Sequence, residues 1–172
     1  MSPRRSLLVI TLLILIFIFQ ESFINEIHFP IGGFSLYFAF VISWILQEDR
    51  SAAMLIAFFA GLIADLAPTL QAPFGLWTLV MTGFAYFLLT TVRGALDSIG
   101  TPFVMSSVTT LAVTTLLLVF ALCGAILGQE LPSFQALGKE LIGNALWSLI
   151  LAPIYVPMVI RTRELTLTAR ER

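Results

Sequence analysis

Long apolar runs separated by short turns dominate the chain. The first run extends from Ser6 to Phe19 and continues through Gln20, Glu21 and Ser22 to Ile24. A second covers residues 31–46. A third covers 51–67, interrupted by Asp65 and ended by Pro68. The remaining three cover 72–92, 102–127 and 139–160, the apolar run of the last starting at Leu141. Each is too long for a strand. A bilayer core about 30 Å thick takes roughly 20 apolar helical residues to cross, so the runs predict six membrane-spanning helices, the first two at the short end. The connections are tight: Pro30, Gly32 and Gly33 in the first, 68–73 in the third, 94–100 in the fourth and 128–134 in the last. The pattern predicts an all-α, polytopic, six-helix membrane bundle, with residues 1–172 forming a single integral membrane domain.

Composition supports lipid as the solvent. Hydrophobic residues make up 59% of the 172 positions and charged residues 11%, where a soluble domain carries about 25% charged residues. Mean hydropathy is +1.00. Too few polar groups are present to cover a water-facing surface, and too many apolar ones for disorder. Six spans would take up about 120 residues, which leaves no room for a separate soluble domain. The formal net charge of −1 gives no reason to expect nucleic acid as a partner. The single cysteine, Cys123, excludes an intramolecular disulfide and a cysteine-based metal site.

Orientation follows from the basic residues. With six spans, Arg4, Arg5, Arg50, Arg93, Arg161, Arg163, Arg170 and Arg172 fall on the side of the N-terminus, and of the nine basic residues only Lys139 falls on the other. Both termini are therefore expected in the cytoplasm. A five-span arrangement would break the asymmetry. Trp44 and Trp77, near span ends, suit interfacial belts. Arg4-Arg5 before an apolar stretch resembles a signal peptide. Gln20-Glu21-Ser22 offers no small-residue cleavage site, so the first helix is expected to be retained.

Polar groups inside lipid are costly and therefore informative. Asp65 lies roughly 20 Å along the third span, on one face with Ala57 and Gly61, whose small side chains admit a neighbouring helix. It has two readings: a structural aspartate capping the adjacent turn, or a buried acid that pairs with or binds something. Glu140, Asn144 and Ser148 form a polar stripe at similar depth, so Asp65 could pair with Asn144 or Lys139. Lys139 and Glu140 themselves also suit the water interface. Pro153 and Pro157 each remove a backbone donor and predict a bend in the sixth span. Gly124-x-x-x-Gly128 is a weak contact motif, and Thr110 and Thr114 can bond back to their own helix. Glu48, Asp49 and Arg50 read as a solvated turn. His28 stands alone. No phosphate-binding loop, nucleophile elbow or zinc-protease motif is present, and no nucleophile, base and oxyanion donor come together. No catalytic residue, metal or cofactor is expected.

Two segments carry a resemblance. They are Gly61-Leu-Ile-Ala-Asp65-Leu, followed by a short turn with Phe74-Gly75-Leu76 and a helix reaching Tyr86, and Asn144-Ala-Leu-Trp-Ser-Leu-Ile-Leu-Ala-Pro153, ending in Arg161 and Arg163. With the size, the six-span layout, Trp44 and Arg50, they resemble the rod shape-determining protein MreD family over nearly the whole chain, through short apolar motifs. Gly61, Asp65, Gly75 and Asn144 are the matched landmarks. The resemblance implies a non-enzymatic subunit of the bacterial cell-elongation machinery in the plasma membrane. Such a subunit would bind a single-span MreC-like protein and act with an MreB-like cytoskeleton, a RodA-like glycosyltransferase and a class B transpeptidase in lateral peptidoglycan synthesis. One departure is that family members often carry a denser basic cluster after the fourth span, where this chain has only Arg93. The family is also similar in fold to the substrate-binding subunits of energy-coupling-factor vitamin transporters. The alternative function is therefore a small-ligand-binding subunit of such a transporter. That role needs a pocket with several polar and aromatic side chains, and the outer half of the sequence offers few. The arginines from Arg161 to Arg172 are placed to touch anionic lipid headgroups.

Overall fold

The computed structural model describes residues 3–67, 72–94 and 102–166. Among them are six helices: α1 (Pro3–Phe19), closed by a π-turn over Gln20–Ile24; α2 (Leu36–Ile45); α3 (Arg50–Asp65); α4 (Leu76–Thr91); α5 (Pro102–Ile126); and α6 (Phe134–Thr166). Pro68, the 95–100 turn, Arg170 and Arg172 lie outside the described residues. Three helices are long and apolar enough to cross a membrane: α1 with its π-turn over Arg4–Ile24, α5 over Phe103–Ile126 and α6 over Phe134–Thr166. This is the mark of a membrane protein.

The element expected over 31–46 is much shorter. Helix α2 has ten residues, about 15 Å of rise. Residues 31–35 are irregular, with Gly32 at φ 61° and Ser35 non-helical at φ −101° before the first helical turn. The reason lies in α6. A Cβ on Gly143 would stand 2.6 Å from the Gly32 Cα, and one on Gly32 would stand 2.6 Å from the Lys139 carbonyl. Two glycines thus let this connection lie directly on α6, and helix begins only beyond it.

Helix α2 is also the centre of the molecule. Every residue from Tyr37 to Ile45 is buried, and the helix packs against α1, α3, α5 and α6. A segment apolar on every side must be enclosed on every side. Tyr37 Oη donates to the Ala60 carbonyl at 2.9 Å, joining α2 to α3. Around this axis Leu13, Ile56, Met81, Leu116 and Val159 are fully buried, one from each of the other helices. The outer faces carry Leu15, Leu79, Leu111 and Ile154, each at least 60% exposed, a surface suited to hydrocarbon rather than water.

Helices α3 and α4 form the most extensive helix pair. Ala53, Ala57, Ala60, Gly61 and Ala64 are all buried along α3, so the expected small-residue face is real and carries the packing. Helix α6 begins earlier and ends later than the 139–160 run. Ser133 supplies its N-cap: its Oγ accepts from Ala136 N at 3.3 Å and its carbonyl from Leu137 N at 2.9 Å. The helix then continues as one element through Pro153 and Pro157.

Candidate functional site

Asp65 closes α3 and opens α4. Its Oδ1 accepts from the Trp77 backbone N–H at 2.9 Å. Its Oδ2 accepts from the Thr78 N–H at 2.9 Å and from Thr78 Oγ1 at 2.6 Å. These N–H groups belong to the first turn of α4, which has no earlier carbonyl to bond. A carboxylate there also meets the positive end of the helix dipole. Asp65 therefore fits the capping reading. The expected pairing with Asn144 or Lys139 is not formed, because both carboxylate oxygens are taken up by α4. Gly61 and Gly75 complete the joint. A Cβ on Gly61 would lie 2.5 Å from the Thr78 Cα and 2.7 Å from the Trp77 carbonyl. Gly75 precedes the helix at φ 94°, a left-handed conformation that favours glycine.

At the opposite ends of these helices lies a second cluster that the sequence reading missed. Glu48, expected in a solvated turn, is 1% exposed. Its Oε1 accepts from Arg5 at 2.6 Å, from Trp44 Nε1 at 3.0 Å and from Arg163 Nε at 3.3 Å. Its backbone carbonyl accepts from Arg93. Only Asp49 and Arg50 are exposed as expected, with Arg50 over the Tyr86 ring at 5.2 Å. Trp44 is consequently a core residue at 0% exposure rather than an interfacial one. No local signal marks Glu48, since its charged partners stand 43 and 115 positions away.

Trp77 also departs from the interfacial expectation. It is 7% exposed and sits in a stack, 4.3 Å from Phe38 and 3.7 Å from Phe120 between ring centroids. Two cavities meet at this stack, of about 530 and 270 Å³, sharing Trp77, Leu117 and Glu140 as walls. The larger reaches Gln129 and Glu130 in the α5–α6 connection. The smaller is bordered by Gln20, Asn25, Tyr37 and Asn144. The expectation that this half offers few polar and aromatic side chains is thereby corrected: they come from five elements scattered along the chain, and the fold gathers them.

Gln20 is another polar residue the sequence did not single out. It is buried, and its Nε2 donates to Asn25 Oδ1 at 2.7 Å and to the Phe34 carbonyl at 3.1 Å, while its Oε1 accepts from Tyr37 N at 3.3 Å. The π-turn places this amide at the start of α2, where it ties the irregular connection to the helix. On α6, Asn144 and Ser148 are buried and bonded to each other at 3.0 Å, whereas Glu140 is exposed at the cavity mouth. Pro153 is exposed and off this stripe. Gly124 faces Gln129 of its own turn and no neighbouring helix. Gly128, at φ 87°, ends α5 instead of packing it. Thr114 bonds back to the Thr110 carbonyl at 2.9 Å as expected. Among the described residues no three His, Cys, Asp or Glu side chains gather where they could hold a metal ion. Compared with known protein families, with curated proteins and with solved structures, the chain shows no match.

Proposed function

We propose that the chain is a non-enzymatic scaffold subunit of the MreD type in a bacterial plasma membrane. It is a six-span bundle with both termini cytoplasmic, and it holds a single-span MreC-like protein and, through it, other proteins of lateral wall synthesis. The observation that carries this reading is the α3–α4 joint. Gly61, Asp65 and Gly75, three of the landmarks on which the family resemblance rests, act there as one unit in which Asp65 caps the helix that Gly61 lets approach. Affinity for a partner helix in lipid would come from the same kind of close contact. The six-span path draws support from the Glu48 cluster, which gathers Arg5, Arg93 and Arg163 at one end of the bundle.

Affinity purification of the tagged full-length protein from native membranes tests the reading. A single-span MreC-like protein is expected to co-purify. Recovery of an energy-coupling module in its place would overturn the scaffold and favour the small-ligand-binding alternative. The two cavities beside Trp77 lend support to that second reading.

A further inference from the structure

The cavities beside Trp77 are bordered by polar groups that the bundle itself leaves unused. Asn144 is 3% exposed, and one end of its amide is engaged by Ser148 Oγ at 3.0 Å. Whichever way the amide is turned, its other end has no partner among the described residues, and the side chain borders the smaller cavity. The residue is buried, but this amide end opens on the cavity, so its hydrogen-bond partner must come from whatever occupies the cavity. One helical turn earlier on the same face, the exposed Glu140 borders both cavities, and its carboxylate bonds no other described side chain. Glu130 stands at the far wall of the larger cavity. Glu21 also borders the smaller cavity, but Asn25 Nδ2 donates to it at 3.1 Å. No Lys, Arg or His among the described residues lines either cavity, so the ionisable side chains on their walls are acidic and favour a cation over an anion. The Phe38–Trp77–Phe120 stack supplies aromatic wall to both, Phe38 to the smaller cavity, Phe120 to the larger and Trp77 to each.

From this arrangement we infer that the two cavities, which share Trp77, Leu117 and Glu140 as walls, form a binding site for a small organic cation with an aromatic or apolar body. Glu140 faces the protonated or quaternary nitrogen. The free end of Asn144 bonds a polar atom of the ligand, and the body lies along the Trp77 stack. Cavities of about 530 and 270 Å³ are on the scale of a small molecule. The acidic wall fixes the sign of its charge, and the unmatched amide fixes where its second polar contact falls. The site goes beyond the scaffold reading and stands apart from it, since a protein that holds MreC-like partners can carry such a ligand and so can one that does not.

The test uses the full chain in lipid nanodiscs, titrated calorimetrically with 2-phenylethylamine and benzyltrimethylammonium. 2-Phenylethanol and phenylacetate serve as neutral and anionic probes with the same ring. Saturable binding of at least one cation is expected, at least tenfold tighter than the alcohol or the acid. Glu140→Gln, at an exposed position that leaves the fold intact, is expected to reduce the preference for cation over alcohol about tenfold. Asn144→Leu is expected to weaken cation binding while melting as the parent does. If Asn144→Leu melts early, Asn144→Ser is read in its place. Non-saturating uptake of amine and alcohol alike, as simple partition into lipid gives, would overturn the site. So would saturable binding that Glu140→Gln leaves unchanged, or the absence of binding by both cations. Co-purification of an MreC-like partner is scored separately, so either result can fail alone.

Discussion

Arg5 and Glu48, 43 positions apart, meet at 2.6 Å with side chains 4% and 2% exposed. The contact joins the first turn of α1 to the turn between α2 and α3, and Trp44 adds an indole N–H to the same carboxylate oxygen. Removing one partner of a buried pair leaves the other charge uncompensated, at a cost of about 3–5 kcal/mol. Glu48→Ala is therefore expected to lower stability by that order, measured by SDS-induced unfolding of the protein in mixed micelles. Arg163 reaches the same oxygen at 3.3 Å with its side chain 34% exposed, so Arg163→Ala is expected to cost under about 1 kcal/mol. Equal effects of the two substitutions would mean that Glu48 is not the hub of the cluster.

The Asp65 cap gives a graded series. Asp65→Ala strips the Trp77 and Thr78 N–H groups of their acceptor, and loss of an N-cap costs about 0.5–2 kcal/mol. Burial of the joint places the expected value at the upper end of that range. Asp65→Asn keeps one acceptor and is expected to fall between the parent and Ala in unfolding midpoint. Lys139→Met, which would be as damaging as Asp65→Ala if the two residues were an ion pair, is expected to leave the midpoint unchanged.

Glycines in this chain divide by what surrounds them. A methyl group at Gly61 would meet the Thr78 Cα at 2.5 Å, which is backbone and cannot swing aside. Gly61→Ala is accordingly expected to destabilise by about 1–3 kcal/mol, the usual range for overpacking. Gly83, within α4, has nothing within 4 Å of its Cβ position. Gly83→Ala is expected to stabilise by about 0.5–1 kcal/mol, because alanine gives up less backbone freedom in a helix. The opposite signs can be read from thermal melts of the two variants alongside the parent.

What could be read from the chain depended on how far each interaction reaches along it. Long apolar helices such as α5 are continuous in sequence, and their runs mark them directly. Asp65 caps groups 12 and 13 positions on, near enough for a cap to be one of its two readings. Helix α2 was overextended because Ile31, Phe34 and Ser35 look as spannable as the residues after them. What stops the helix is a pair of glycines on two elements, Gly32 and Gly143, which no local pattern connects. Glu48 beside Asp49 and Arg50 has the composition of an exposed turn, and its burial depends on arginines from α1 and α6. Gln20 looked like a tolerated polar residue at a helix end, although an amide with three partners across a π-turn holds the start of α2. The cavity walls come from elements throughout the chain, so they had no sequence signature as a group.

The crossing number can be tested at exposed positions. Arg5 at the start of α1 and Arg163 near the end of α6 both donate to Glu48 Oε1, so the two ends of the chain's helical course share one side. An odd number of crossings would separate them by the full bilayer. Lys139, whose carbonyl lies against Gly32, belongs to the other end with Asn144 and the cavities. In a Cys123→Ser background, Asp49→Cys and Lys139→Cys place single thiols at exposed positions. With a membrane-impermeant maleimide on intact cells, Lys139→Cys is expected to label and Asp49→Cys to label only after the membrane is opened. Helix α2 alone rises about 15 Å, so this crossing must be completed by the irregular stretch before it, where Gln20 satisfies the backbone at Phe34 and Tyr37. Labelling of both thiols on intact cells would put the Glu48 end and the Lys139 end of the bundle on the same side of the membrane and overturn the six-span path.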